Sequence, residues 1–469
     1  MSKPTTMSAI DKTNSLSAEF PLSVTRIEIE KLFGKYTYDL SKEVASTGSL
    51  SSLFILYGDN GSGKTTILKL LFHLLSPSED RGHRSFIAQI PFAKFAVSLA
   101  GGTHIVVSRQ EKDLLGPFQI ELLEEGKSVS KVKYEINEDG RPQGLDGNLL
   151  LRRLSELQLS VFFLGDDRVL NSDVFESEET ELQQFFLMSE NRRMGLDPRR
   201  FLRTSSHVAN IDRDFALKTS IARTENWIRE QALKGSNRGS ASVHNLYEDI
   251  ISRIITSGKG EIVSEDLPHS SQQLIERLQA EEDRSKEFSY FGLMSPLDTK
   301  NLIRTIGNNN SEATLTITWK VLKPYLDSVS ARLDALQETQ NLLKLFVSTV
   351  NSFFNDKKIE LHVRTGLKIA TEKGQEISPE SLSSGEKQLL LLLCNTLTAR
   401  DKATIFIIDE PEISLNIKWQ RQLIHVLLEF TKGSLVQFLL ATHSIELLAQ
   451  YRRNVVKLQD VSNEIENGR

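Results

Sequence analysis

Three groups of residues in this 469-residue chain have types and spacings suited to handling a phosphate ester. Gly58-Asp59-Asn60-Gly61-Ser62-Gly63-Lys64-Thr65-Thr66 fits the pattern G-x-x-x-x-G-K-[ST]. Glycines there let successive backbone N–H groups turn inward onto phosphate oxygens, and the start of the following helix adds its own amides. The candidate cradle is therefore Asn60, Gly61, Ser62, Gly63, Lys64, Thr65 and Thr66. Lys64 would reach the β- and γ-phosphates of a nucleoside triphosphate, and the Thr65 hydroxyl would ligate Mg²⁺. In Ile405-Phe406-Ile407-Ile408-Asp409-Glu410, four apolar residues bury a strand and release two carboxylates at its C-terminal end, where ligands bind in open α/β sheets. Adjacent strand residues face opposite ways, so the two roles differ. Asp409 suits a Mg²⁺ contact; Glu410 suits the base that polarises an attacking water. Glu412, two residues on, reads as a plain surface charge and receives no role. Leu439-Leu440-Ala441-Thr442-His443-Ser444 ends another apolar run in an imidazole able to hydrogen-bond a γ-phosphate. A solvated acidic turn and a structural histidine are the competing readings for each segment alone. Their order behind the phosphate loop favours the chemical ones.

The elements that must hold these residues are legible in outline. Leu53–Tyr57 is a short apolar run, the pattern of a strand buried on both faces, and Thr66–Leu75 continues as a helix. Thr25–Glu30 alternates apolar and charged residues, as a half-buried strand near a sheet edge does. Phe95–Leu99, His104–Val107 and Phe118–Leu123 read as a β-meander, and Leu159–Leu164 as a further buried strand. Helical patterns dominate from about 172 to 354. Leu326, Val329, Leu333, Leu336, Leu343, Val347 and Val350 form one heptad seam, broken only by Gln340. The seam fits a short coiled-coil arm or a bundle helix, and the polar opposite face favours the arm. Leu382-Ser383-Ser384-Gly385-Glu386 precedes the apolar helix Gln388–Leu397. Ser383 and the Gly385 amide at that helix start form a second candidate anion site, against the alternative of an ordinary N-capped helix.

Composition bounds the rest. With 39% hydrophobic and 25% charged residues the chain reads as soluble and globular, large enough for two or three substructures. A net charge of −5 gives no global drive towards nucleic acid. The single cysteine, Cys394, excludes an internal disulfide framework and a cysteine-rich zinc site, and reads as a buried hydrophobe. No apolar stretch approaches the ~18–20 residues of a membrane span. Residues 1–20 lack an apolar signal core and read as a flexible tail, which points to the cytoplasm.

In family order, Gly58–Thr66, Leu382–Gln388, Ile405–Pro411, Ser414–Asn416 and Ala441–Ser444 resemble an ATP-binding-cassette (ABC) ATPase of the soluble branch that includes SMC, RecF and OLD-type proteins. The resemblance covers the ATPase head only. It implies an α/β fold: an ABC-type P-loop head, made of a mixed sheet plus an antiparallel β subdomain, with a helical insertion carrying a short coiled-coil-like arm. It divides the chain into a tail (1–20), a first head half (21–171), an insertion (172–356), a second head half (357–455) and a polar tail (456–469). It implies ATP and Mg²⁺, with Glu410 and His443 catalytic and with Thr65 and Asp409 on the metal. Ser383, Gly385 and Glu386 form the signature, presented to a neighbour's γ-phosphate, so that ATP joins two copies head to tail or into a larger oligomer. Ser414–Asn416 stands where the dimer-contacting loop belongs. Where relatives carry a Q-loop glutamine this chain has Gly165-Asp166-Asp167, so Asp166 or Asp167 takes over the Mg²⁺ or water contact, against a plain polar strand end. Phe33–Tyr38 offers an aromatic for adenine, against ordinary strand packing.

Within that branch the chain looks like ATPases of anti-phage systems (Septu PtuA-like, retron-associated or PARIS AriA-like), which assemble with a separate effector, often a nuclease. A DNA-repair or chromosome-maintenance clamp is the alternative. Arg192-Arg193, Arg199-Arg200, Lys234 and Arg238 leave nucleic acid open as a partner, although surface solvation is the favoured reading of them. A self-contained OLD-type nuclease is disfavoured, because no carboxylate constellation or His-Asn-His pattern accompanies the head.

Overall fold

The computed structural model describes residues 21–41, 52–78, 81–110, 113–144, 147–165, 170–173, 214–235, 271–307, 312–412 and 417–461. It divides into two compact units, Met1–Asp197 with Ala399–Arg469, and Pro198–Thr398. In chain order the strands are β1 (Val24–Leu32), β2 (Tyr36–Ser41), β3 (Leu53–Tyr57), β4 (Lys94–Leu99), β5 (Thr103–Ser108), β6 (Phe118–Glu124), β7 (Lys127–Ile136), β8 (Pro142–Gly144), β9 (Ser160–Leu164), β10 (Leu170–Asp173), β11 (Lys357–His362), β12 (Gly366–Thr371), β13 (Glu376–Ile377), β14 (Thr404–Asp409), β15 (Val436–Ala441) and β16 (Val455–Lys457).

The first unit holds two sheets. One is antiparallel in the order β2-β1-β4-β5-β6-β7-β8. Its strands alternate because one face is wet: Ile27 and Ile29 of β1 are fully buried, while Arg26 pairs outward with Asp39 of β2 at 2.6 Å. The other sheet runs β10-β9-β14-β15-β3-β16, parallel throughout except for the edge strand β10. Its middle strands are apolar at nearly every position because both faces are covered; all six residues of β14 and of β15 are buried. Phe406 of β14 stacks between Phe162 of β9 and Phe438 of β15, with centroids 4.7 and 5.4 Å away. The helix Lys64–Leu75 buries Ile67, Leu68, Leu70, Leu71 and Leu74 in a core shared with both sheets.

Gln437 joins the sheets. It is 1% exposed on β15; its Oε1 accepts from Val24 N at 2.7 Å and its Nε2 donates to Val24 O at 2.9 Å. Gln437→Leu keeps the volume but removes both partners from a buried stretch of backbone. It is expected to lower unfolding free energy by about 2–4 kcal/mol. Urea titration would show this as a lower midpoint at unchanged slope.

The second unit contains helix 214–235, the helices Ser271–Tyr290, Lys300–Gly307, Glu312–Phe353 and Ser384–Thr398, and the antiparallel sheet β11-β12-β13. Glu312–Phe353 carries Pro324 internally. The heptad seam is buried within the unit: Leu326, Leu333, Leu336, Leu343 and Val350 have no exposure, and Phe346 widens the stripe. Its partner is Ser271–Tyr290, which runs in the same direction. Arg277 meets Asp327 at 2.6 Å, Arg284 meets Asp334, and Gln340 Nε2 donates to Glu287 Oε2 at 3.3 Å. The polar break in the seam is thus a satisfied buried amide.

The second unit runs to Thr398. Residues 357–398 pack with helix 214–235, through Glu225 Oε1 accepting from Leu367 N (2.8 Å), Lys218–Glu380 (2.5 Å) and Asn395 Nδ2 donating to Ser220 Oγ (2.8 Å). Cys394 on the signature helix is fully buried, and burial pushes its thiol up to about 12. No helix among the described residues is long and apolar enough to cross a membrane.

Candidate active site

The strand order β14-β15-β3 brings three chain segments out at neighbouring C-terminal strand ends. β3 feeds the loop Gly58–Gly63. Gly61 and Gly63 have φ of 80° and 92°, in the left-handed region that admits glycine readily. At Gly63 a Cβ would also lie 2.6 Å from Leu32 Cδ2. The helix Lys64–Leu75 starts without a side-chain cap and without an acidic residue in its first turn, leaving its positive end to a ligand. Tyr38 Oη donates to Ser62 O at 3.0 Å, tying β2 to the loop, and Tyr36 stacks on Tyr38. The Ser62 hydroxyl is buried with no hydrogen-bond partner among the described residues.

Lys64 is 5% exposed and folds back onto its own loop, donating to Gly58 O at 2.8 Å and Asp59 O at 3.0 Å. Burial holds its pKa below the ordinary lysine value, against the opposing pull of Glu410, Asp409, Asp59 and Glu412. Thr65 and Thr66 follow, half-buried in the first helical turn.

β14 ends in Asp409, 3% exposed. Glu410 follows with a φ of 49°, an uncommon conformation for a non-glycine residue and one seen at functional sites. Its N–H donates to Ala441 O at 2.9 Å, so the strained residue is fixed to the end of β15. Across that junction Glu410 Oε1 lies 3.2 Å from His443 Nε2. The predicted base and the predicted phosphate sensor are thus in contact, and Glu410 also acts on the charge of Lys64.

Sequence reasoning missed Glu412. Its Oε1 accepts three hydrogen bonds: from Thr442 Oγ1 at 2.7 Å, His443 N at 2.8 Å and Ser444 N at 3.1 Å. It is a half-buried anchor for the histidine turn and not a plain surface charge. The only signal in the sequence is a third carboxylate, directly after Pro411.

The signature lies in the second unit and its geometry is internal to that unit. Ser383 is exposed, Ser383 N donates to Glu386 Oε2 at 2.7 Å, and Glu386 N approaches Ser383 Oγ at 3.4 Å, a reciprocal capping box. Glu386 is 7% exposed and also meets Lys357 Nζ at 3.2 Å. Its carboxylate is therefore occupied in shaping the turn, with Ser383 exposed and Gly385 half-buried beside it. Asp166, Asp167, Ser414–Asn416, Arg192, Arg193, Arg199, Arg200 and Arg238 lie outside the described residues.

The residues present fit a nucleoside triphosphate with Mg²⁺. Left-handed glycine backbone, an uncapped helix start and a buried lysine match phosphate oxygens, and Thr65 with Asp409 supplies the hard oxygen donors that Mg²⁺ takes.

Residues 258–449 match the family described as "AAA domain, putative AbiEii toxin, Type IV TA system", a span that takes in the signature, Asp409, Glu410 and His443. A "Putative ABC transporter ATP-binding protein" of Pyrococcus abyssi is 30% identical over 129 residues, which are 27% of this chain and 48% of that protein; the chain therefore matches about half of that relative's length. Among solved structures, the Smc head domain with an extended coiled coil from Pyrococcus furiosus, bound to the C-terminal domain of ScpA, overlaps at a TM-score of 0.34 and 14% identity, covering 95% of this chain and 98% of that one. The Smc head with a coiled coil and joint from Pyrococcus yayanosii gives the same score and identity, covering 94% and 97%. Overlaps at that score carry no weight in assigning a function.

Proposed function

We propose that the chain is an ABC-type ATPase that binds and slowly hydrolyses ATP, assembles head to tail through it, and controls a separate effector in anti-phage defence. The observation that carries the catalytic part is the 3.2 Å contact between Glu410 and His443 at the strand ends that flank the Lys64 cradle. Glu410 takes the proton of the attacking water. His443 hydrogen-bonds a γ-phosphate oxygen and holds Glu410 in line. Lys64 leaves the loop carbonyls and neutralises the β- and γ-phosphates, exchanging neutral acceptors for anionic ones. Mg²⁺, held by Thr65 and Asp409 when bound, supplies further charge neutralisation at the phosphates.

Assembly rests on the exposed Ser383 beside the Gly385 amide, a helix-start anion site held in shape by Glu386 and Lys357. Residues of one copy would complete the γ-phosphate site of another. Ser383→Arg is expected to abolish ATP-dependent assembly and to lower turnover about tenfold or more, since preorganised donors at the phosphate are removed. Fluorescent ATP analogue binding by the single copy should persist. Unchanged assembly and turnover would refute the shared-site reading.

The toxin named in the matching family's description is consistent with an effector-linked role. Copurification of a second polypeptide with the endogenous protein, and loss of phage protection on Glu410→Gln, would test it. Turnover stimulated by DNA, with binding that weakens steeply with salt, would instead favour a DNA clamp.

A further inference from the structure

The histidine turn is held by a residue with no part in the proton transfer or the phosphate contacts. Glu412 sits two residues beyond Glu410, separated from it by Pro411, whose ring fixes φ and stiffens the link. Three donors converge on its Oε1: the Thr442 hydroxyl and the N–H groups of His443 and Ser444. Thr442 Oγ1 in turn accepts from Ser444 N at 2.9 Å, so the turn closes on itself around the carboxylate. The other oxygen, Oε2, is buried with no hydrogen-bond partner among the described residues. A carboxylate taken out of water and satisfied at only one oxygen is a poor arrangement for stability alone. Gln420 Nε2 donates to the Glu412 carbonyl at 3.2 Å, so the backbone is pinned as well.

The link runs across the sheet. Glu410 N donates to Ala441 O, and two residues later Glu412 grips the three residues that follow Ala441. The base-bearing segment and the histidine-bearing segment are therefore clamped at two points, and the contact between Glu410 Oε1 and His443 Nε2 lies between them. Remove the carboxylate and the backbone amide of His443 loses its acceptor; the imidazole is then free to leave Glu410.

We infer that Glu412 is a positioning residue: by seating the Thr442–Ser444 turn it sets the His443 imidazole against Glu410 before nucleotide arrives. It touches no reacting atom and acts through His443 alone. Its kinetic consequence rests on the proposed hydrolysis; its structural consequence does not.

The test is a double-mutant cycle on the full chain, with an NMR arm that needs no hydrolysis. Glu412→Ala should lower kcat about tenfold or more with KM for ATP within twofold, because the lost contact matters in the transition state. In a His443→Ala background the same substitution should cost less than about twofold further. Glu412→Gln, which keeps an accepting oxygen, should recover most of the rate. A further tenfold loss in the His443→Ala background, or an unaltered kcat in Glu412→Ala, would overturn the inference. In nucleotide-free, histidine-labelled protein the imidazole resonances of His443, assigned by their absence in His443→Ala, should move or broaden in Glu412→Ala and return in Glu412→Gln. Unchanged His443 resonances in a folded Glu412→Ala protein would overturn it equally. Wild-type protein without turnover would refute the proposed activity while leaving this second arm decisive.

Discussion

Glu410→Gln is expected to lower ATP turnover by about a hundredfold to ten-thousandfold, the range for loss of a positioned general base. The carboxamide keeps the shape of the side chain and its approach to His443 Nε2, now 3.2 Å. It also keeps the left-handed backbone of residue 410, since neither the bond to Ala441 O nor Pro411 is touched. What it cannot do is take a proton from water. ATP affinity should therefore remain within a few-fold of wild type, because Lys64 and the Gly58–Gly63 backbone are unaltered. The variant should accumulate with ATP bound, and that makes it the right form in which to look for assembly. Phosphate release under single-turnover conditions separates the chemical step from product release. A variant that hydrolyses at the wild-type rate would remove Glu410 from the base role.

Lys64→Ala is expected to weaken ATP binding by about a hundredfold or more, the scale of losing charge-assisted hydrogen bonds to two phosphates. Its effect on the fold should be small, for a reason visible in the surroundings of Lys64. Lys64 is a buried ammonium whose pKa is depressed by desolvation; its hydrogen-bond partners are two backbone carbonyls of its own loop. A lysine with a lowered folded-state pKa binds its proton less tightly folded than unfolded. At neutral pH its charge thus opposes folding, and stability rises as pH climbs through the folded pKa. Removing it should leave the melting temperature near the wild-type value while nucleotide binding is lost. Calorimetric titration with ATP and Mg²⁺ beside a thermal melt checks both halves. A large drop in melting temperature would show that Lys64 serves the fold as much as the phosphate.

The strand ends of the candidate site are readable because each is local. β3, β14 and β15 are short apolar runs, and Lys64, Asp409, Glu410 and His443 stand at or just beyond the ends of their elements. A parallel strand buried on both faces leaves little choice of pattern. The β-meander was legible for the complementary reason, since one wet face imposes alternation. What stayed hidden depends on pairing across long separations. Glu412 looked like a solvated charge because its donors lie on a turn about thirty residues later. Gln437 reads as one polar residue in an apolar strand; its partners are the N–H and C=O of Val24 at the other end of the chain. The heptad seam was visible, but its partner was not. Ser271–Tyr290 is rich in charge, and those charges form the cross-helix contacts of Arg277 and Arg284. The unit boundary at residue 398 follows from helix 214–235, whose contacts with the signature helix no local pattern announces.

In the proposed assembly one triphosphate is held by Lys64 of one copy and by Ser383 and Gly385 of another. The most direct measurement is the native mass of Glu410→Gln with ATP and Mg²⁺, with and without Ser383→Arg in the same chain. A species of at least twice the 52.9 kDa chain mass is expected, formed only with ATP and lost in the double variant. A mass unchanged by ATP, or an ATP-dependent assembly that survives Ser383→Arg, would contradict it.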